Sequence, residues 1–217
     1  MKKCIILANG QPPKKFVFDF LNQNGYNFLI CVDGGANSAL KLDLIPDYII
    51  GDLDSIRTDV YDYFFDKCKI KQIKRQNDTD VEKCLNFAIN KNFKEAVLLG
   101  VTGDRLDHSF GNLGLLLKFF TKIKIKVIHQ KSLLCAYKGN IKLKTRPGET
   151  ISIYGIDSKT KIISTGLKYP LKNISLPFGK KESTSNVAID NEVKLKIKNG
   201  IIFVIRDFET MRKYGLF

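Results

Sequence analysis

Apolar and polar positions along this chain follow two different rhythms. Up to about residue 120, short apolar runs alternate with amphipathic stretches. The strand-like runs are Lys3 to Ala8, Asn27 to Val32, Asp47 to Ile50, Ile70 to Ile73 and Ala96 to Gly100. Helix-like stretches lie between and after them: Pro13 to Gln23, Ala36 to Leu42, Thr58 to Phe65, Thr79 to Ile89 and His108 to Phe120. The fourth is the most regular, with Val81, Cys84, Leu85, Ala88 and Ile89 on the i, i+3, i+4, i+7, i+8 stripe of a helix face. From about Lys122 the rhythm changes to short alternating runs punctuated by Gly139-Asn140, Arg146-Pro147-Gly148, Gly166 and Asn199-Gly200. An Asn-Gly pair between two alternating runs, here Lys194 to Lys198 and Ile201 to Arg206, predicts a hairpin turn.

Strands alternating with helices predict a mostly parallel sheet covered by helices on both faces, a Rossmann-like α/β domain. The later pattern predicts a smaller all-β sandwich. The boundary is expected at residues 1–125 and 126–217, which suits a chain of 217 residues.

Charge sharpens this division. Of the formal net charge of +14, residues 1–120 carry only +1 and the remainder carries +13. A basic half raises the possibility of a nucleic-acid-binding protein. Many of these lysines alternate with aliphatics, however, as in Lys122-Ile123-Lys124-Ile125-Lys126-Val127, and period-two alternation reads as a solvated sheet face. With no Trp and no motif of interleaved basic and aromatic residues, nucleic acid is not expected as a partner. Five cysteines without CxxC spacing predict reduced, mostly buried thiols and a cytoplasmic protein. The start, Met1 to Ala8, lacks the apolar length of a secretion signal, and Leu113 to Phe120 is too short to span a membrane.

In open α/β sheets, ligands bind outside the carboxyl ends of the strands, and the residues following each strand-like run here are rich in aspartate. They read Asn9-Gly10, Asp33-Gly34-Gly35-Ala36-Asn37, Gly51-Asp52-Leu53-Asp54-Ser55, Gln76-Asn77-Asp78-Thr79-Asp80 and Thr102-Gly103-Asp104-Arg105-Leu106-Asp107-His108. Singly, Asp54, Ser55 and Asp107 read as helix caps, and Thr79 with Glu82 as a capping box. Together, carboxylates converging on one edge repel one another unless cations neutralise them. Mg²⁺ is the natural resident, because it takes oxygen ligands from one or two carboxylates and from substrate phosphates. Neither a P-loop nor a Gly-x-Gly-x-x-Gly turn is present. Gly34-Gly35 offers a backbone that phosphates can approach closely, and Arg105 offers a planar fork for them.

These motifs, in this order, resemble the thiamine pyrophosphokinase family: Asp33-Gly34-Gly35-Ala36-Asn37, Gly51-Asp52-Leu53-Asp54-Ser55, Asp78-Thr79-Asp80 followed by Lys83, Gly103-Asp104-Arg105-Leu106-Asp107-His108, and Ser183-Thr184-Ser185-Asn186. The resemblance implies transfer of a pyrophosphoryl group from ATP to the hydroxyl of thiamine, giving thiamine diphosphate and AMP. It implies Mg²⁺ held by Asp52 and Asp54, with Asp80 at the metal and Asp107 close to it. An ATP site would be lined by Asn9, Asp33, Gly34, Gly35, Asn37 and Thr102, with Arg105 on the phosphates. Gln76, Asp80, Ser185 and Asn186 would meet thiamine. It also implies a homodimer whose active sites each join the α/β domain of one subunit to the β domain of the other. Some members stack a Trp on the thiamine pyrimidine; this chain has none, so an aliphatic or Tyr/Phe contact would take its place. The rival enzyme reading is another Mg²⁺-dependent phosphotransferase or nucleotide hydrolase on the same sheet edge.

Overall fold

A computed structural model describes residues 1–75, 77–103 and 105–217. Gln76 and Asp104 lie outside the described residues. The chain forms two compact units, Met1–Gln130 and Lys131–Phe217.

The first unit is built on six strands, β1 (Lys3–Leu7), β2 (Leu29–Val32), β3 (Tyr48–Gly51), β4 (Lys69–Gln72), β5 (Glu95–Leu99) and β6 (Lys124–His129). Pairing runs β4-β3-β2-β1-β5-β6, and every pair is parallel. Ile5 to Leu7, Ile30 to Val32 and Ala96 to Leu99 are buried at each successive position. Successive side chains of a strand point to opposite faces, so the sheet is covered on both faces at these three strands, whereas the edge strand β4 is largely exposed. That double coverage is why these runs are continuously apolar in sequence. Five helices intervene: α1 (Lys15–Gln23), α2 (Gly35–Lys41), α3 (Thr58–Phe64), α4 (Asp80–Asn90) and α5 (Leu106–Lys118). The capping box is realised at α4, where the Glu82 amide donates to the Thr79 hydroxyl at 3.3 Å. α3 and α5 instead begin after Arg57 and Arg105, so Asp54, Ser55 and Asp107 do not act as N-caps.

This unit extends past the expected boundary at residues 125/126, because β6 pairs in register with β5 from Glu95↔Lys124 to Leu99↔Ile128. The solvated-face reading of its lysines also fails at Lys126. That side chain is buried and pairs with Glu95 at 3.0 Å, and its ammonium donates to the Tyr26 hydroxyl at 3.2 Å. Tyr26 in turn donates a short hydrogen bond to Glu95. An alternating pattern names the face of a strand but not what lies over it, and here a buried carboxylate draws the lysine inward.

The second unit contains β7 (Ser132–Lys144), β8 (Thr150–Gly155), β9 (Lys161–Thr165), β10 (Lys172–Ile174), β11 (Ser183–Val187) and β12 (Glu192–Asp207), followed by a short helix α6 (Phe208–Lys213). The strand pairs of this unit, β7-β12, β12-β8, β12-β9, β9-β10 and β8-β11, are antiparallel. β12 organises it. One side of β12 pairs with β7, while the other pairs first with β9 (Lys194↔Thr165 to Lys198↔Lys161) and then with β8 (Ile202↔Gly155 to Arg206↔Ile151). Leu143, Ile151, Ile153, Ile162, Val193, Leu195, Ile202 and Val204 form its core.

The Asn199-Gly200 hairpin is therefore not formed: both residues lie inside β12, at a register shift between Ile197 and Ile202. A two-residue type I′ turn needs left-handed backbone at both positions, and only Asn199 has it, at φ 62. The pair makes a bulge that lets one strand change neighbours. Gly139-Asn140 likewise falls within β7. The helix α6 was not visible in the all-β pattern; Asp207 ends β12 and caps it, accepting from the Thr210 amide at 2.7 Å.

Candidate active site

In the first unit, β1 is flanked by β2 on one side and β5 on the other, so the connections leaving β1 and β5 part in opposite directions. Such a switch point opens a crevice at the carboxyl ends of the strands. A cleft of about 710 Å³ lies there, lined by residues from Ala8 to Asn112 that include Asn9, Asp33, Gly34, Asp52, Asp80, Lys83, Thr102, Arg105 and Asp107.

Small residues make room for it. A Cβ at Gly35 would collide with the carbonyl oxygen of Leu7, and one at Gly51 would lie 2.7 Å from the Asp33 Cβ. Asp33 itself takes a left-handed backbone, φ 43, immediately after β2. Its Oδ2 accepts the Ser55 amide at 3.1 Å. Asn37 braces the same loop, donating to the Ser55 carbonyl at 3.0 Å and accepting the Arg57 amide at 3.1 Å. Gln72 donates to the Asp52 carbonyl at 2.9 Å. Asn112 donates to the Val101 carbonyl at 2.8 Å and fixes the connection after β5. Gly35 and Asn37 thus hold the site from behind.

Carboxylate oxygens of Asp33, Asp52 and Asp80 lie within 4.8 Å of one another. The Oδ1 atoms of Asp33 and Asp52 are buried and have no hydrogen-bond partner among the described residues, an arrangement that costs free energy unless a cation or a proton satisfies it. Burial, together with the neighbouring charges of Asp54 and Asp80, pushes the Asp33 carboxyl up to about 6 against the opposing Ser55 amide. This donor set of hard, clustered oxygens suits Mg²⁺. The tight trio contains Asp33 where the motif pattern pointed to Asp54. Asp54 lies exposed beside it, its Oδ1 accepting the Ser55 hydroxyl at 2.8 Å, and that bond first of all lowers its pKa.

Arg105 and Asp107 face each other at the exposed start of α5. The guanidinium donates to Asp107 through Nε at 3.2 Å and through a terminal nitrogen at 2.5 Å, and holds the Asp107 carboxyl down at about 2. The motif pattern alone gives Lys83 no role. It is buried on α4, and its ammonium donates to Asp80 Oδ1 at 2.7 Å and to the Ile73 carbonyl at 3.1 Å.

In the second unit, Ser185 is exposed with a left-handed backbone, φ 53. Asn186 is 2 % exposed. Its Oδ1 accepts the amides of Tyr169 (3.1 Å) and Val187 (2.9 Å), and its Nδ2 donates to the Tyr169 carbonyl (2.7 Å) and the Ser183 hydroxyl (3.0 Å). Those four bonds use the full capacity of an amide side chain. Asn186 thereby clamps the backbone of Tyr169, a residue that stands 60 % exposed.

The chain matches the family model of the thiamin pyrophosphokinase catalytic domain over residues 21–128 and that of the thiamin pyrophosphokinase vitamin B1 binding domain over residues 138–202. It is 30% identical to thiamine pyrophosphokinase of Bacillus subtilis, with 95% of this chain and 99% of that protein covered. It is 29% identical to thiamin pyrophosphokinase 1 of Caenorhabditis elegans, with 84% and 80% covered. The crystal structure of the Bacillus subtilis enzyme superposes with a TM-score of 0.80 at 27% identity, covering 95% of this chain and 99% of that one. The thiamin pyrophosphokinase from Candida albicans, at 19% identity, shares the fold with a TM-score of 0.82, covering 95% and 89%. With both domain models matched in order and a relative aligned along nearly its whole length, the chain belongs to the thiamine pyrophosphokinase family.

Proposed function

We propose that this protein transfers the pyrophosphoryl group of ATP to the hydroxyl of thiamine, releasing thiamine diphosphate and AMP. The observation that carries the reading is the cleft at the β1/β5 switch point, where three convergent carboxylates include two buried oxygens without partners among the described residues, in a chain whose halves match the catalytic and vitamin B1 binding domains of one family. That agreement favours this reaction over a nucleotide hydrolase or a nucleic-acid-binding protein.

Asp33, Asp52 and Asp80 would hold Mg²⁺, and Asp54 joins them from the rim. When bound, the ion neutralises charge on the phosphate oxygens and links them to the protein. Phosphoryl-type transfer spreads charge over the equatorial oxygens, so positioning and cationic stabilisation supply most of the catalysis. Arg105, turned from Asp107 or shared with it, supplies a two-pronged donor to the phosphates. Asn9, Gly34 and Thr102 line the nucleotide's path, while Gly35 and Asn37 hold the loops beneath it. The hydroxyl proton of thiamine passes to a rim carboxylate, Asp54 or Asp80.

Thiamine would meet the second unit at Ser185 and at the ring of Tyr169, which takes the place of a Trp. Gln76, for which the resemblance implies a contact with thiamine, lies outside the described residues. We read the first unit as Rossmann-like, the second as a β-sandwich, and the working enzyme as a homodimer in which each site joins the first unit of one copy to the second unit of the other. Among the described residues no disulfide links the five cysteines, and four of them are buried, which suits the reducing cytoplasm. Among the described residues, no helix is long and apolar enough to cross a membrane.

Incubation with MgATP and thiamine, with thiamine-free and EDTA controls, tests the reaction. Equal amounts of thiamine diphosphate and AMP, abolished by EDTA, are expected. ADP with thiamine monophosphate, or ATP consumption indifferent to thiamine, would sink the assignment.

A further inference from the structure

Lys83 is 3 % exposed, and its ammonium is paired with a carboxylate. A buried cation needs partners, and it has two of different kinds. One is Asp80 Oδ1 at 2.7 Å, one turn earlier on α4; the other is the carbonyl of Ile73 at 3.1 Å, on the segment that leaves β4. Between Ile73 and α4 runs the connection that carries Asp78 and Thr79 into the cleft.

We propose that Lys83 is a positioning residue of the metal cradle: by tying Asp80 to the Ile73 carbonyl it anchors the start of α4 to the end of β4 and holds the Asp80 carboxylate in place beside Asp33 and Asp52. The inference rests on the reading of Asp33, Asp52 and Asp80 as a divalent-cation site. The two ideas part in the sign of one effect. By Coulomb's law alone, removing a positive charge beside three carboxylates strengthens cation binding. If Lys83 positions Asp80, removing it weakens binding, because Asp80 loses its fixed geometry.

The test is Mn²⁺ binding by electron paramagnetic resonance, with no nucleotide or thiamine present, on the full-length wild-type protein, Lys83→Met and Lys83→Gln. Glutamine retains a donor to Asp80 without the charge. Positioning predicts that the Mn²⁺ dissociation constant rises about tenfold in Lys83→Met and less in Lys83→Gln, a loss of ~1.4 kcal/mol for the former. In turnover, the Mg²⁺ concentration for half-maximal rate rises in the same order. Equal or tighter Mn²⁺ binding by a folded Lys83→Met protein overturns the positioning role and leaves the metal site standing. If Lys83→Met does not fold, Lys83→Gln decides: binding equal to or tighter than wild type overturns the role, and weaker binding supports it. Absence of saturable binding by the wild type overturns the metal site itself, and this inference with it.

Discussion

At the scale of single residues, Asp33 couples the cleft to stability. Its folded carboxyl titrates at about 6, above the ordinary value near 3.9. The native state therefore holds a proton that the unfolded chain has released between those values. Stability from this group is fullest below about pH 4 and falls as the pH rises through 6. In EDTA, Asp33→Asn is expected to raise the melting temperature at pH 7.5 by about 2 to 4 °C, the effect of ~1 kcal/mol in a chain of this size, and to have little effect at pH 4. Thermal melts at the two pH values check it; an equal shift at both would remove Asp33 as the source. Tyr169 carries the second residue-scale prediction. Tyr169→Ala should raise the KM for thiamine about tenfold, Tyr169→Phe should keep it, and the KM for ATP should not follow, because a stacked ring contributes ~1 kcal/mol through its face. Steady-state kinetics in both substrates decides this. The aspartates were legible in sequence as residues following strands. Which of them converge was not, because that depends on the left-handed turn at Asp33 and the space left by Gly51.

At the scale of elements, the parallel strands were legible because burial on both faces leaves continuous apolar runs such as Cys4 to Ala8. β6 was legible as a strand and misread as a surface. Its Lys126 completes a buried set with Glu95 and Tyr26, while Lys124 reaches Glu95 only from the exposed side, at 3.7 Å. Removing one member of a buried pair leaves the other charged and unpaired. Lys126→Ala should thus cost ~3 kcal/mol in denaturant unfolding, far more than Lys124→Ala, and similar losses for the two would contradict the burial argument. β12 shows the opposite failure. Asn-Gly is a strong local cue for a hairpin, yet the pairing of its two halves with β9 and β8 outweighs it, and local sequence does not record which strands will be neighbours.

At the scale of the molecule, the two units carry different charges and different halves of the proposed chemistry. If each site joins the first unit of one copy to the second unit of another, two disabled variants can repair one another. Asp52→Asn and Tyr169→Ala proteins, co-refolded in equal amounts, would form mixed dimers in which one of the two sites is intact, returning about a quarter of wild-type activity at low thiamine. Activity no greater than the sum of the two parents would place each whole site within one copy.

The arrangement along the chain has a consequence for biogenesis. Every side chain named around the β1/β5 crevice, from Asn9 to Asn112, belongs to the unit that ends at Gln130. Synthesis proceeds from the amino terminus, and domains generally fold as units in that order. The acidic crevice thus emerges from the ribosome and can fold before the second unit is complete. A divalent cation bound there would stabilise the half-made chain by mass action, so nascent protein short of magnesium would meet its folding hazard early, before the second unit has folded.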